Sequence, residues 1–378
     1  MTLLPLRIRC VLLMAVLAAA PAAGTHLAPA AEGPEQTDVF VSGADGYHTY
    51  RIPGIVLTTK GTLLAFCEGR KTGRGDHGDL DLVLRRSSDG GKTWQPMQLV
   101  YEEGGTAKVT IGNPCPVVDR QTGTVWLPFC RDNDRVFVTH SDDDGRTWAK
   151  PVEITADVKK PDWGWYATGP GHGIQLRSGR LVVPCDCGDS KGWGQWDKKG
   201  RSLAFYSDDH GKTWKLGGVT APGMNECEAV ELADGSLLLS MRNYPPRGQR
   251  AFATSTDGGL SWSKPAHHEQ VYCPTCQSSI HRFTLPPAAA KNRILYSGPG
   301  GPGRKNMTVR LSYDEGKTWP VAKVIHSGPA AYSDLVTLGD GTIGCLYERG
   351  QKHAYEKITF ARLTLPWLTD GKDRLKEK

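Results

Sequence analysis

The sequence predicts an all-β protein, a six-bladed β-propeller of four-stranded antiparallel blades. Three observations predict it: one turn motif recurs five times, the copies are spaced by the length of a four-stranded sheet, and a proline-free strand stands before each copy. The motif Ser-x-Asp-x-Gly-x-Thr-Trp begins at Ser87, Ser141, Ser207 and Ser312, and at Ser255 with Ser261 in place of the threonine. Successive copies lie 54, 66, 48 and 57 residues apart. That is the size of a blade with its loops and far from a helical-repeat period. The strands before them are Leu80 to Arg86, Val136 to His140, Leu203 to Tyr206, Ala251 to Thr254 and Met307 to Leu311.

Within each turn the aspartate can accept backbone N–H groups, the glycine supplies positive φ, and the tryptophan packs between sheets. A turn that recurs identically cannot converge on one substrate, so Asp89, Asp143, Asp209, Asp257 and Asp314 are expected to hold the fold. Five marked turns and one unmarked sheet make six blades around a central channel. Thr37 to Ser42 and Ile358 to Leu365 are expected to pair in one blade, which closes the ring and removes an open edge. No helix-period segment of useful length is present, so helices should be scarce.

Residues 1–31 read as an export signal: Arg7 and Arg9 precede the apolar run Val11 to Ala20, and small residues follow. Ten apolar residues are too few for a bilayer span, which needs about 20. Residues 35–378 are then the propeller, expected to be exported to the periplasm or the medium and to act as a monomer without a membrane span. The formal net charge of +6 comes without any run of five or six like charges, which argues against nucleic acid as a partner. Of ten cysteines, Cys10 falls in the signal, and the remaining nine cannot all pair within the chain. The pairs Cys273/Cys276 and Cys185/Cys187 have the spacing of a disulfide or half a zinc site, with buried thiols as the plainer expectation.

In a propeller, loops remote in sequence meet at one end of the axis, so charged residues that the turns do not explain stand out. Arg51 heads an apolar strand, Arg242 follows the run Leu237 to Met241, and Arg304 precedes the strand leading to the last turn. A guanidinium next to an inward-facing strand is costly unless it is paired or meets an anion. Each of the three taken alone fits a structural ion pair; three in separate blades suggest an anion clamp. The tryptophans Trp163, Trp165, Trp193 and Trp196 stand outside the turn motif and could stack on sugar faces or pack, packing being the plainer expectation, with glycine-rich 188–194 as an exposed rim.

Tyr50-Arg51-Ile52-Pro53 followed by five such turns resembles the exo-sialidase family, the Asp-box neuraminidases of bacteria and animals. The likeness runs from about Tyr50 to Leu365. It is reinforced by Asn113-Pro114-Cys115-Pro116, Thr168 to Gly173, Asn225-Glu226-Cys227-Glu228 and Tyr332-Ser333-Asp334-Leu335. The resemblance implies hydrolysis of terminal α-linked sialic acid from sialylated glycans, with retention at the anomeric carbon and with no metal or organic cofactor. A trans-sialidase would carry the same residues; a non-catalytic glycan-binding propeller would lack part of the set.

By the same resemblance, Arg51, Arg242 and Arg304 bind the sugar carboxylate, and Glu348 holds Arg51 in place. Asp76 matches the family's general acid/base in a loop after the first strand pair, with Asp79 and Asp81 as competitors. Its carboxyl would need a raised pKa, from burial under the substrate. Tyr332 is the implied nucleophile, paired with Glu226. Glu228 and Glu231 are rivals to Glu226, and the sixteen residues from Glu226 to Arg242 resemble bacterial members. A phenol suits an anomeric carbon that bears a carboxylate, because an anionic nucleophile would be repelled; sialidases are the known exception to the two-carboxylate rule. Arg70 and Asn113 resemble residues lining the sugar pocket.

Overall fold

The repeat is realised as six antiparallel blades, in most of which consecutive strands pair. The computed structural model describes residues 1–2, 33–189, 196–244, 248–272 and 274–375. The expected signal at 1–31 therefore lies outside the described residues, apart from its first two. Residues Glu32–Lys378 form a compact unit of their own.

The first blade pairs Thr49–Leu57, Leu63–Arg70, Leu80–Ser87 and Gln98–Tyr101 in that order. Leu63–Arg70 is buried along its whole length, since neighbouring elements cover both faces of a middle strand, and it reads as an apolar run and not as an alternation. In the second blade Ile111–Gly112 and Val117–Val118 share one partner, Val125–Arg131, followed by Arg135–Ser141 and Val152–Glu153. The third repeats this with Trp165–Thr168 and Ile174–Gln175 on Leu181–Gly188, then Arg201–Ser207 and Lys215–Val219. The fourth is Met224–Glu231, Leu237–Asn243, Gln249–Ser255 and Ala266–Tyr272.

The last two blades share a strand. Val321–Thr337 pairs over its first half with Lys305–Ser312, completing the blade of Ser279–Thr284 and Arg293–Pro299. Over its second half it pairs with Ile343–Arg349, opening the sixth blade. That blade continues through Lys357–Leu363 to Glu35–Val41, so strands from the two ends of the chain close the ring as expected. Successive blades touch in chain order, and the sixth touches the first. The described helices are three four-residue segments, Thr155–Val158, Trp196–Lys199 and Leu365–Leu368.

All five marked turns join the third strand of a blade to the fourth, and the third copy shows how they work. Ser207 Oγ, Thr213 N and Thr213 Oγ1 donate to the Asp209 carboxylate at 2.8, 2.9 and 2.7 Å, while Gly211 N donates to Ser207 Oγ at 2.8 Å. Gly211 has φ 85°, and a Cβ there would collide with Trp126. Trp214 is buried edge-on between Phe205 of its own blade and Trp126 of the preceding one. Slight burial works against the Asp209 charge, but the bonds from Thr213 and Ser207 outweigh it and hold the carboxyl at about 2. A depressed folded-state value gives stability above the ordinary aspartate range, lost as pH falls through the folded value. Asp209→Ala should therefore lower stability at pH 7 by about 1 kcal/mol in urea unfolding, and by progressively less as pH falls from about 4 to 2.

Along the axis, first strands are tied together by buried polar groups. His172 Nδ1 donates to Asp334 Oδ1 at 2.6 Å, Ser279 Oγ donates to Glu228 Oε2 at 2.7 Å, and Ile55 N donates to Asp334 Oδ2 at 2.7 Å. Burial disfavours a charged His172, but Asp334 and Glu228 hold it up at about 9. Burial and the neighbouring Asp334 charge push the Glu228 carboxyl well up. These three side chains are close enough to hold a cation. Each carboxylate oxygen already accepts a hydrogen bond, from Gln277, Ser279, Ile280, His172 and Ile55, which makes the group a structural network.

Cys67, Cys115, Cys130, Cys185, Cys187, Cys227 and Cys345 are buried and free, so Cys185 and Cys187 form no disulfide with each other, and Cys276 is buried as well. Burial pushes the Cys185 and Cys187 thiols up. Cys273 lies outside the described residues. No helix among the described residues is long and apolar enough to cross a membrane.

Candidate active site

Three bulges at one rim of the ring aim the site's side chains. In an antiparallel blade the start of the first strand lies beside the end of the second, so residues from both reach the same end of the axis. Pairing slips between Arg51 and Gly54 in the first blade, between Met224 and Cys227 in the fourth, and between Ala330 and Ser333 in the sixth. The first slip begins directly after Arg51, and the other two bracket Glu226 and Tyr332. A bulge re-aims a side chain without ending the strand.

Arg51 is held by two carboxylates and faces two aromatic rings. Its Nε and Nη2 donate to Glu348 at 3.1 and 3.5 Å, and its Nη1 donates to Asp76 Oδ1 at 2.9 Å. Its guanidinium lies 4.0 Å from the ring centre of Tyr355 and 4.9 Å from that of Tyr332. Glu348 is fully buried and does more than hold Arg51: it also accepts the backbone N–H of Ile52 at 3.0 Å and of Tyr332 at 3.1 Å. Ile52 sits at φ 64°, a conformation that costs a β-branched residue roughly 1 to 3 kcal/mol and persists only where its surroundings impose it.

Asp76 is half-exposed, on the loop after Leu63–Arg70. Arg70, itself buried, clamps that loop: its Nη1 donates to the carbonyls of Arg74 and Gly75 and to Asp76 Oδ1 at 2.6, 2.9 and 2.8 Å. Its other edge donates to Glu68 Oε2 at 3.0 and 2.7 Å. Burial would raise the Asp76 carboxyl, but the Arg51 and Arg70 guanidiniums outweigh it and hold the group below the usual range. The raised value expected of Asp76 belongs to the substrate-covered state; in the open site the two arginines that face it hold it down. The competing Asp79 and Asp81 pair instead with Lys71, at 3.0 and 3.2 Å. Asn113, at φ 57°, donates its N–H to Glu68 and accepts from Asn133 Nδ2 at 2.8 Å.

The Tyr332 hydroxyl donates to Glu226 Oε1 and accepts from Arg242 Nη1 at 3.0 Å. The same Nη1 donates to Glu226 Oε2 at 2.7 Å, so one guanidinium nitrogen holds both partners. Burial and the Glu226 charge push the phenol well up, with Arg242, Arg304 and Arg51 opposing. Arg304 lies 5.3 Å from the Tyr332 ring centre and donates to the Tyr355 hydroxyl. The rival carboxylates are engaged elsewhere: Glu228 in the axial network and Glu231 with Arg177 at 3.1 Å.

Arg70, Asp76, Asn113, Glu226, Arg242 and Tyr332 line one cavity, and Arg51 and Arg304 flank Tyr332. The cavity wall contains residues that the sequence reading did not single out. Asp186 accepts from Trp165 Nε1 at 3.1 Å and from Asn225 Nδ2 at 2.9 Å, and all three line the cavity. Tyr355, between Arg51 and Arg304, was also missed. Trp165, expected to pack, instead joins this wall, while Trp163 is buried against Tyr166. Trp193, the side chain of Trp196 and residues 190–194 of the expected rim lie outside the described residues. A cavity with three guanidiniums at one end and a phenol–carboxylate couple beside them can hold an anion while a nucleophile approaches the adjacent carbon.

Residues 61–345 match the family described as BNR repeat-like domain. The chain is 36% identical to the protein named Sialidase of Micromonospora viridifaciens, over 93% of this chain and 58% of that one. It is 31% identical to the Exo-alpha-sialidase of Aspergillus fumigatus, over 86% of each. The chain thus spans little more than half of the bacterial relative and most of the fungal one. Among solved structures, a Hadza microbial sialidase superposes with a TM-score of 0.79 at 30% identity, covering 88% of this chain and 69% of that one. The intramolecular trans-sialidase of Ruminococcus gnavus superposes with a TM-score of 0.74 at 19% identity, over 88% of this chain and 98% of that one, a likeness of fold.

Proposed function

Because the chain belongs to the BNR-repeat sialidases, which are glycoside hydrolases, we propose that it is an exo-α-sialidase releasing terminal sialic acid from glycans with retention, with Tyr332 as nucleophile. The observation that carries this reading is the shared grip of Arg242 on Tyr332 and Glu226, beside Arg51 and Arg304.

The sugar carboxylate binds among Arg51, Arg242 and Arg304, where planar guanidinium forks match its two oxygens. Its negative charge offsets that of Arg51, which relaxes the hold on Asp76, and the covering sugar removes water from the carboxyl; both changes let Asp76 carry a proton. In the first displacement the bond from the anomeric carbon to the glycosidic oxygen breaks as Asp76 protonates that oxygen. The Tyr332 oxygen bonds to the anomeric carbon while its proton passes to Glu226. In the second, water gives a proton to Asp76 and its oxygen displaces Tyr332, which recovers its proton from Glu226. Two inversions give net retention. Export to the periplasm or the medium belongs to the same reading, supported by the basic and then apolar stretch Arg7 to Ala20.

Proton NMR during cleavage of a 2,3-linked sialyllactose is the test. The α-anomer of free sialic acid should appear first and mutarotate afterwards. First appearance of the β-anomer would show a single displacement and overturn the tyrosine role, and an anhydro sugar would show transfer to an internal hydroxyl instead of water.

A further inference from the structure

The wall that faces Tyr332 across the ring holds a carboxyl the mechanism above does not use. Asp186 lies near the end of Leu181–Gly188 in the third blade, three blades from Tyr332, with Arg51 and Arg304 on the first and fifth. It is 1% exposed. Its two oxygens differ: Oδ1 accepts both Trp165 Nε1 and Asn225 Nδ2, whereas Oδ2 is buried and has no hydrogen-bond partner. Two N–H donors on one oxygen mark it as the carbonyl side of the group and leave the proton to Oδ2. Burial, then the Glu226 charge, pushes the carboxyl well up, in agreement with that placement. A buried O–H without an acceptor is a group waiting for one, and this one belongs to a residue lining the cavity.

We propose that Asp186 is a specificity-determining residue, which presents a carboxylic-acid O–H from Oδ2 to an acceptor oxygen on the sialic acid, on the side of the ring away from its carboxylate. The inference rests on the reading that a sialoside occupies this cavity, with its carboxylate among the arginines. The far side of the ring then carries two sources of acceptor oxygen, the acylamino group and the polyol tail. Both offer the same chemistry, a lone pair for a neutral donor. An ionised aspartate in this place would repel Glu226 and offer no donor at all.

Steady-state kinetics on wild type, Asp186→Asn and Asp186→Ala test this, with thermal melting as the check on folding. The amide keeps an acceptor for Trp165 and Asn225 and puts N–H donors in place of Oδ2. On intact sialyllactose, Asp186→Asn should stay within about threefold of wild type in kcat/KM, while Asp186→Ala loses roughly tenfold, mostly in KM. Two altered substrates identify the acceptor: one with the tail shortened by periodate, one with a hydroxyl replacing the acylamino group. The Ala penalty should shrink to within about twofold on whichever substrate lacks the bonded oxygen. The inference is overturned if Ala matches wild type, if a well-folded Asn variant is as impaired as Ala, or if the penalty persists on both altered substrates. Wild-type protein that cleaves no sialoside would instead overturn the functional reading, and this inference with it.

Discussion

Tyr332→Phe is expected to lower kcat on sialyllactose by on the order of 10²- to 10³-fold while leaving the fold intact. The ring keeps its place between the guanidiniums of Arg51 and Arg304, 4.9 and 5.3 Å from its centre, so carboxylate binding and KM should change little. What disappears is the oxygen that donates to Glu226 and accepts from Arg242. Glu226 and Arg242 still pair at 2.7 Å, so no buried charge is stranded and the melting temperature should hold. Any residual turnover should also change its stereochemistry. With no nucleophile beneath the ring, water enters from the face opposite the leaving group, and the β-anomer appears first. A kcat within tenfold of wild type together with retained stereochemistry would remove Tyr332 from the mechanism.

The fold was legible because its signal is local and repeated. Each turn carries its own glycine, aspartate and tryptophan, and five copies leave little freedom in where the third strands end. The shared strand Val321–Thr337 was not legible: no residue within it marks where one blade stops and the next begins, since a change of partner leaves the backbone extended. The three arginines stood out as charged residues next to apolar strands, Glu226, Tyr332 and Asp76 only through the family resemblance, and the structure brings them to one rim. Asp186 and Tyr355 carry no such mark. Asp186 sits between two cysteines that drew attention as a pair, and its meaning comes only from Trp165 and Asn225, residues brought to it by folding. The depressed Asp76 carboxyl of the open site was not legible for a related reason: burial can be guessed from sequence, but the approach of Arg51 and Arg70 to one oxygen cannot.

Glu348→Ala should be the most destabilising single change at the site, costing about 3 kcal/mol in denaturant unfolding, because it takes the buried carboxylate from Arg51, leaves that guanidinium only the half-exposed Asp76, and strips two backbone N–H groups of their acceptor. Arg51 is 4% exposed and Glu348 fully buried, so water cannot readily take over the lost bonds. The side chain accepts from Arg51, from Ile52 N and from Tyr332 N at once, which ties the first blade to the sixth at the rim of the channel. Ile52 at φ 64° is held against its own preference by this contact, so its relaxation should carry Arg51 with it. Glu348→Gln separates the two roles. The amide oxygen still accepts a bond, so part of the stability should remain, but the neutral partner no longer compensates Arg51. That guanidinium should then be drawn more fully onto Asp76, holding it more firmly as the anion and depressing kcat more than KM. If both variants unfold at the wild-type midpoint, Glu348 is not the tie between these blades, and the position of Arg51 must be set by Tyr355 and Asp76 alone.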